Sequence, residues 1–329
     1  MEYRTLGRTG VRVSALGFGC GNVGGLMVRG TPVERERAVA RALELGINYF
    51  DTAPLYGDGR SEEHLGQALR ALGASPHVGT KVRLPPLPAG ELPGAVTRSL
   101  EQSLRRLGLE RVDLLQLHNP IGRDPGAGTM AAKDVRDVIV PALVRLVEQG
   151  KIRFHGITAL GETPAVLDVI DAGVADTAQV CYNLLDPSAG HPVPPGFPGQ
   201  DFGRLLDRCT ARRTGAIVIR VLAAGALSGT ETRHPVAVPS VEPIASGPDY
   251  AADVRRARTF GILVDEGHVR SLVEASLRFA LASEAVSTVL IGCSSLDQLE
   301  QAAAAVSRGP LPAAALAHLP ALWARLGAA

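Results

Sequence analysis

The chain has 329 residues, 46% hydrophobic, with 37 Gly and 23 Pro, and no Ser/Gly-rich linker or charge run divides it, so residues 1–329 are expected to form one domain. Lys and Arg number 34 against 33 Asp and Glu, a net charge of +1 that argues against nucleic-acid binding. Cys20, Cys181, Cys209 and Cys293 are scattered with no Cys-x-x-Cys pair, the start is not a signal peptide, and no apolar run approaches about 18 residues; free thiols in the cytoplasm and no membrane span are expected.

Residues 3–6 and 11–14 flank Gly7-Arg-Thr-Gly10, a hairpin signature. In residues 16–25 the glycines Gly19, Gly21 and Gly24 match G-x-G-x-x-G, but that fingerprint needs a helix starting at its second glycine. Thr31 as N-cap and Pro32 at N1 place the helix later, over 33–45. A glycine-rich strand end giving a ligand close backbone access is the better reading. Residues 47–50 form a strand behind Gly46, and Pro54, Gly57 and Gly59 break it, leaving Asp51 at the strand's end and Tyr56 in the loop beyond. A helix over 61–72 is expected, with Ser61 as N-cap and Glu62 and Glu63 in its first turn.

A short strand at 77–83 carries Lys81, and a helix follows at 92–107. The apolar strand 112–118 ends in His118, where Asn119-Pro120 stops it. Residues 121–129 read as loop, 135–149 as helix, 152–158 as strand, 164–171 as helix and 178–182 as strand. The Pro/Gly-dense stretch 186–200 is loop, 203–213 helix and 216–222 strand. A long insertion from about 228 to 267 contains a helical part at 250–259; helix 269–282, strand 286–291, helix 296–306 and a last amphipathic helix at 311–326 follow. Eight strand–helix units and a hairpin predict an α/β fold, a (β/α)8 TIM barrel with an N-terminal β-hairpin cap and long loops at its C-terminal face. Asp51, Tyr56, Lys81 and His118 then lie together at that face. Each alone reads as a packing or structural residue; their joint placement does not.

Residues 46–60, Lys81 and the run Leu-Leu-Gln-Leu-His118-Asn119-Pro120 resemble the aldo-keto reductase family. The resemblance implies a catalytic set of Asp51, Tyr56, Lys81 and His118, and reduction of an aldehyde or ketone, or oxidation of a sugar or alcohol, by hydride transfer. Charge builds on the carbonyl oxygen as hydride arrives, and Tyr56 would supply the proton. A free phenol titrates near pH ~10. The Lys81 ammonium would lower that value, Asp51 would hold Lys81 charged, and His118 would donate to the carbonyl oxygen. No side chain carries a hydride, so a nicotinamide is implied. No metal is needed, and no ligand cluster is visible in the sequence.

For the cofactor, Gly21, Asn22 and Asp51 would face the nicotinamide. Where the family usually places Ser-Asn after the fifth strand, this chain has Thr158-Ala159, which keeps a hydroxyl and loses an amide. Gln179 matches the family after the sixth strand. The stacking aromatic after the seventh is absent, and Arg220 is the candidate to stack or bind a phosphate. Gly225-Ala-Leu-Ser-Gly229 resembles a pyrophosphate loop, adding Leu222, Ala224, Gly225 and Leu227. The run 291–300 resembles the adenosine site, adding Gly292, Ser294, Gln298 and Gln301. Ser295 and Gln298 stand where other branches carry Lys and Arg for a 2′-phosphate. NADP(H) is implied by the family, with NAD(H) open. Val23, Met27, Asn119 and Tyr182, with Tyr56 and His118, are candidates to line the substrate pocket. Ser294 and Gln298 resemble the branch of the family that includes potassium-channel β subunits, so the alternative is a nicotinamide-binding regulatory or interaction subunit with little turnover. The partner is a small carbonyl or sugar compound, and the chain is expected to be a monomer or weak homo-oligomer.

Overall fold

Two short strands, β1 (Tyr3–Thr5) and β2 (Arg12–Ser14), open the chain, paired antiparallel across a turn at Gly7–Thr9. A computed structural model describes residues 1–126 and 128–326. β3 (Leu16–Gly19) leads to α1 (Leu26–Arg29), a single turn that the sequence pattern did not predict, and to α2 (Pro32–Glu44). Thr31 caps α2 as expected: its hydroxyl accepts from the Glu34 N–H, and the Glu34 carboxylate accepts from the Thr31 N–H. β4 (Tyr49–Asp51), α3 (Arg60–Leu72), β5 (His77–Val82), α4 (Leu92–Leu107) and β6 (Val112–Leu117) follow.

The stretch 121–129, expected to be loop, begins with β7 (Ile121–Gly122), which pairs with β8 (Met130–Ala131); its residue 127 lies outside the described residues. α5 (Ala132–Asp134) continues through a π turn at Val135–Ile139 into α6 (Val140–Glu148). Then come β9 (Ile152–Thr158), α7 (Thr163–Asp171), β10 (Thr177–Cys181), α8 (Leu205–Arg212) and β11 (Gly215–Ile219). The insertion carries α9 (Tyr250–Arg258) and α10 (Ile262–Asp265), and α11 (Leu272–Ala282), β12 (Val286–Ile291), α12 (Leu296–Val306) and α13 (Ala313–Leu326) complete the chain.

β3, β4, β5, β6, β9, β10, β11 and β12 close into a parallel barrel in chain order, with β12 pairing back to β3. The fold is therefore the (β/α)8 barrel expected. The hairpin closes its N-terminal end: Leu6 and Val13 pack with Tyr49, Leu114, Ile217 and Leu290 inside the barrel. Gly7 makes this approach possible, since a Cβ there would lie 2.2 Å from the Gly215 nitrogen. No helix among the described residues is long and apolar enough to cross a membrane.

Three local expectations change. Ser61 does not cap α3; Gly59, left-handed at φ 90°, occupies that position. The Ser61 hydroxyl instead donates to the Cys20 carbonyl and bonds Thr52 Oγ1, each at 2.8 Å, tying the ends of β3 and β4 together. β11 stops at Ile219 rather than 222, because Arg220 turns left-handed at φ 56°. Finally, α13 brings His318 against Glu266 and His268, a grouping that sequence spacing did not display.

The connection after β10 is held by buried polar groups. Asn183 Oδ1 accepts from the Leu185 and Asp186 N–H groups, and Asp186 Oδ1 accepts from the N–H and hydroxyl of Ser188. Asp186 Oδ2 is buried without a partner. Burial pushes its carboxyl from the ordinary 3.8 up to about 7, against the pull of Ser188 and Arg256. Since the folded value lies above the unfolded one, the neutral carboxyl's advantage is full below pH 3.8 and is lost as pH rises through 7. Asp186→Asn, which keeps the Oδ1 acceptor, should raise Tm by roughly 2 °C or more above neutrality. Thermal melts should show that gain shrinking toward pH 4; a gain independent of pH would contradict the titration.

Candidate active site

β4, β5, β6, β9 and β10 each direct a polar side chain into the C-terminal mouth of the barrel. Parallel register places Lys81 beside Gln116 and Thr158 beside Gln179. At their centre the Lys81 ammonium donates to Asp51 Oδ1, and to the Thr52 carbonyl at 2.9 Å. Asp51 Oδ2 accepts from Gln179 Nε2 at 2.8 Å and from the Tyr49 hydroxyl at 3.3 Å. Both members of the pair are buried. Gln116 and Tyr49 were missed in the sequence. The signal lies in strand alternation: Tyr49 shares a face with Asp51, and Gln116 with His118.

Tyr56 sits over this pair, with the Lys81 nitrogen 4.9 Å from its ring centroid. The His118 ring meets it edge-on, at 5.9 Å between centroids and 90° between planes. Thus the structure brings Asp51, Tyr56, Lys81 and His118 together, as expected. Burial works against the Lys81 ammonium, but Asp51 and Tyr56 outweigh it and hold the ammonium above its usual range. Burial likewise raises the Asp51 carboxyl, with Lys81 pulling it back. For Tyr56 the result differs from the simple expectation. Lys81 does pull the phenol down, yet burial and the Asp51 charge win and leave it above its ordinary value. Burial, with the Lys81 and Arg83 charges, takes His118 from 6.5 down to about 3, so its imidazole is neutral near pH 7.

Tyr56 and His118 line one end of a cavity of about 570 Å³. Gly21, Asn22 and Val23 form one wall; a Cβ at Gly21 would lie 3.6 Å from the Tyr56 ring. Thr158, Gln179, Arg220, Leu222, Ala224 and Gly225 line it further, as do Gly292, Ser294, Gln298 and Gln301. Ala223, Ala224 and Gly225 run left-handed in succession, with φ of 46°, 59° and 108°. Such strain on non-glycine residues concentrates where the surrounding fold over-determines the backbone. Gly24 is needed for packing: its Cβ would lie 2.5 Å from the Gly292 carbonyl carbon.

Four expected lining residues lie elsewhere. Met27 is buried in α1, and its carbonyl contacts His64 Nδ1 at 2.8 Å. Asn119 pins its own loop, donating to the Leu84 and Gly128 carbonyls and accepting from the Leu84 N–H. Tyr182 is buried against Phe279 and His191, and Leu227 is buried beneath its turn. In their place the insertion supplies Arg233, His234 and Ile244 from its Pro-rich part, which carries no periodic signal, and Tyr250 from the start of α9. The insertion is strapped over the cavity: Val238 N–H donates to the Val23 carbonyl, and Arg29 bridges the Asn22 and Val236 carbonyls.

A closed parallel barrel with a carboxylate, ammonium, phenol and imidazole at its mouth defines a barrel oxidoreductase. The chain belongs to the aldo/keto reductase family, whose profile matches residues 15–324, and it is an NAD(P)-dependent oxidoreductase. It is 32% identical to L-galactose dehydrogenase of Arabidopsis thaliana over 93% of this chain and 88% of that one. It is 29% identical to pyridoxal 4-dehydrogenase of Microbacterium luteolum, covering 91% of each. The holo form of an aldo-keto reductase from Bacillus halodurans superposes with a TM-score of 0.73, at 26% identity, over 98% of this chain and 96% of that one. The dinucleotide this family uses suits the cavity, which is lined by Leu222, Ala224 and Gly225 at the left-handed turn together with the Tyr56 phenol and the side-chain amides of Gln298 and Gln301.

A neutral His118 should stay neutral from about pH 5 to 8. The pH profile of kcat/KM should then lack a limb near 6.5; such a limb, lost in His118→Gln, would contradict this assignment.

Proposed function

We propose that the chain interconverts a small aldehyde or ketone and its alcohol, with Tyr56 as general acid in reduction and general base in oxidation. The observation that carries this reading is the Tyr56 phenol, set between the Lys81 ammonium and the His118 ring at the cavity wall. Neutral His118 donates to the carbonyl oxygen and orients it. Tyr56 passes its proton to that oxygen as negative charge develops there. Lys81, kept charged by Asp51, stabilises the phenolate left behind. A nicotinamide, when bound, supplies or accepts the hydride. Thr158 and Gln179 would hold its carboxamide, the 222–225 turn would meet its pyrophosphate, and Ser294, Gln298 and Gln301 would hold its adenosine. The dehydrogenase relatives for a sugar and for pyridoxal support polyhydroxylated or aromatic aldehydes and alcohols as the substrate class.

Family resemblance favours NADP(H). The neutral side chains Ser294, Gln298 and Gln301 support use of NAD(H) as well. Ser294 Oγ is already engaged with the Gly24 carbonyl, and Gln298 Oε1 with the Ser294 N–H. A hydrogen bond to a charged partner is worth about 1.5–3 kcal/mol, so a missing cation forfeits roughly ten-fold or more of NADP(H) preference. Steady-state kinetics should therefore give kcat/KM values for NADH and NADPH within about ten-fold of each other; strict NADPH dependence would overturn this.

Tyr56→Phe should lower kcat by roughly 10²–10⁴-fold while leaving the dissociation constant for the nicotinamide cofactor unchanged. Undiminished turnover would remove Tyr56 from the mechanism. Cofactor retention with no wild-type turnover on aldoses, aliphatic aldehydes and aromatic ketones would favour the regulatory-subunit alternative.

A further inference from the structure

On the outer surface, where the insertion ends, the side chains of Glu266, His268 and His318 converge, with their ligating atoms all within 4.8 Å of one another. Nε2 of His268 lies 3.2 Å from Glu266 Oε2, and Nε2 of His318 lies 3.0 Å from the same oxygen. These spacings match the edge of a tetrahedral site: zinc–nitrogen and zinc–oxygen bonds of about 2.0–2.2 Å set ligand atoms about 3.3 Å apart. None of the three residues lines the catalytic cavity.

The ligands are held in advance by hydrogen-bonded backbone. Gly267, left-handed at φ 75°, turns the chain at the end of α10. The N–H groups of Glu266, Gly267 and His268 donate to the carbonyls of Ile262, Val264 and Leu263. His318 comes from α13, which is anchored by buried Leu319, Leu322 and Trp323, the last donating from its indole to the Leu184 carbonyl. Two rigid segments distant in sequence therefore meet at one point. The side chains remain partly exposed, 21% for His268, 42% for Glu266 and 36% for His318, which leaves room for water to complete a coordination sphere.

The geometry points to a binding site for a divalent transition-metal ion, zinc in the first instance, formed by Glu266, His268 and His318. Two imidazoles and one carboxylate select zinc, nickel or copper over magnesium and calcium. The bound ion takes the place of the direct contacts between the two imidazole nitrogens and Glu266. It staples the end of the insertion to the C-terminal helix, and its role is structural rather than catalytic.

The test is calorimetric titration of the full chain with Zn²⁺ after chelation and desalting, alongside thermal melts. One ion per chain with micromolar affinity, a raised Tm, and no response to Mg²⁺ are expected. His318→Gln and His268→Gln should each weaken Zn²⁺ binding by at least about ten-fold and abolish the Tm rise, while metal-free activity stays at the wild-type level. Glu266→Gln provides a third variant should either histidine change disturb folding. Zn²⁺ affinity equal to wild type in the His268→Gln/His318→Gln double variant would place the ion elsewhere and overturn the proposal, as would a dissociation constant above about 1 mM for the wild-type chain.

Discussion

An ammonium inside a protein is tolerated only when a carboxylate answers its charge and carbonyls take its remaining protons. Lys81 meets Asp51 and the Thr52 carbonyl inside the barrel mouth, and Asp51 in turn receives Gln179 and Tyr49. Lys81 and Asp51 lie on the adjacent strands β5 and β4, and Gln179 reaches Asp51 from β10 on the opposite side of the barrel. Sliding any of those strands by one residue would turn its polar side chain outward. An unpaired charge left there would cost about 3–5 kcal/mol, a large part of the usual stability of about 5–15 kcal/mol. Strand register and site geometry are thus one constraint.

That constraint accounts for what the sequence disclosed. The strands and helices of the barrel were legible because parallel strands buried on both faces read as short apolar runs, and their helices alternate with them. The four residues at the mouth were legible because titratable side chains stand out against the apolar runs they terminate, and three successive runs end the same way. Ser61 reads as a helix cap because it stands ahead of Glu62 and Glu63, but its hydroxyl is claimed by the Cys20 carbonyl across the site. Arg220 reads as strand because left-handed backbone at a non-glycine residue leaves no mark in composition. Met27, Asn119 and Tyr182 lie near the mouth in sequence, but apolar packing and loop hydrogen bonds claim their side chains.

The insertion is the part that local pattern could not supply. It has little periodicity, and its position is fixed by long-range backbone bonds such as Val238 to Val23. Its far end is equally nonlocal. Glu266 and His268 are neighbours in sequence, but the third member of their group arrives from a helix that is itself held by Trp323 and its packing. Both ends of the insertion are thus tied to elements outside it, one over the cavity and one on the outer face.

Burial also governs how the site would work. The Lys81 ammonium and the low-dielectric surroundings act on Tyr56 in opposite directions, and the surroundings prevail, keeping the phenol protonated near neutrality. In the proposed reaction a protonated phenol is the form required for carbonyl reduction. Oxidation requires the proton to leave first, and the ammonium then counts for most, because it stabilises the phenolate in surroundings where water cannot. His118 contributes differently. Its imidazole is held neutral by burial and by the same ammonium, so it can donate a hydrogen bond without adding a second positive charge beside Lys81. One buried cation therefore supports the phenolate and keeps its imidazole neighbour uncharged, and Asp51 is what allows that cation to remain.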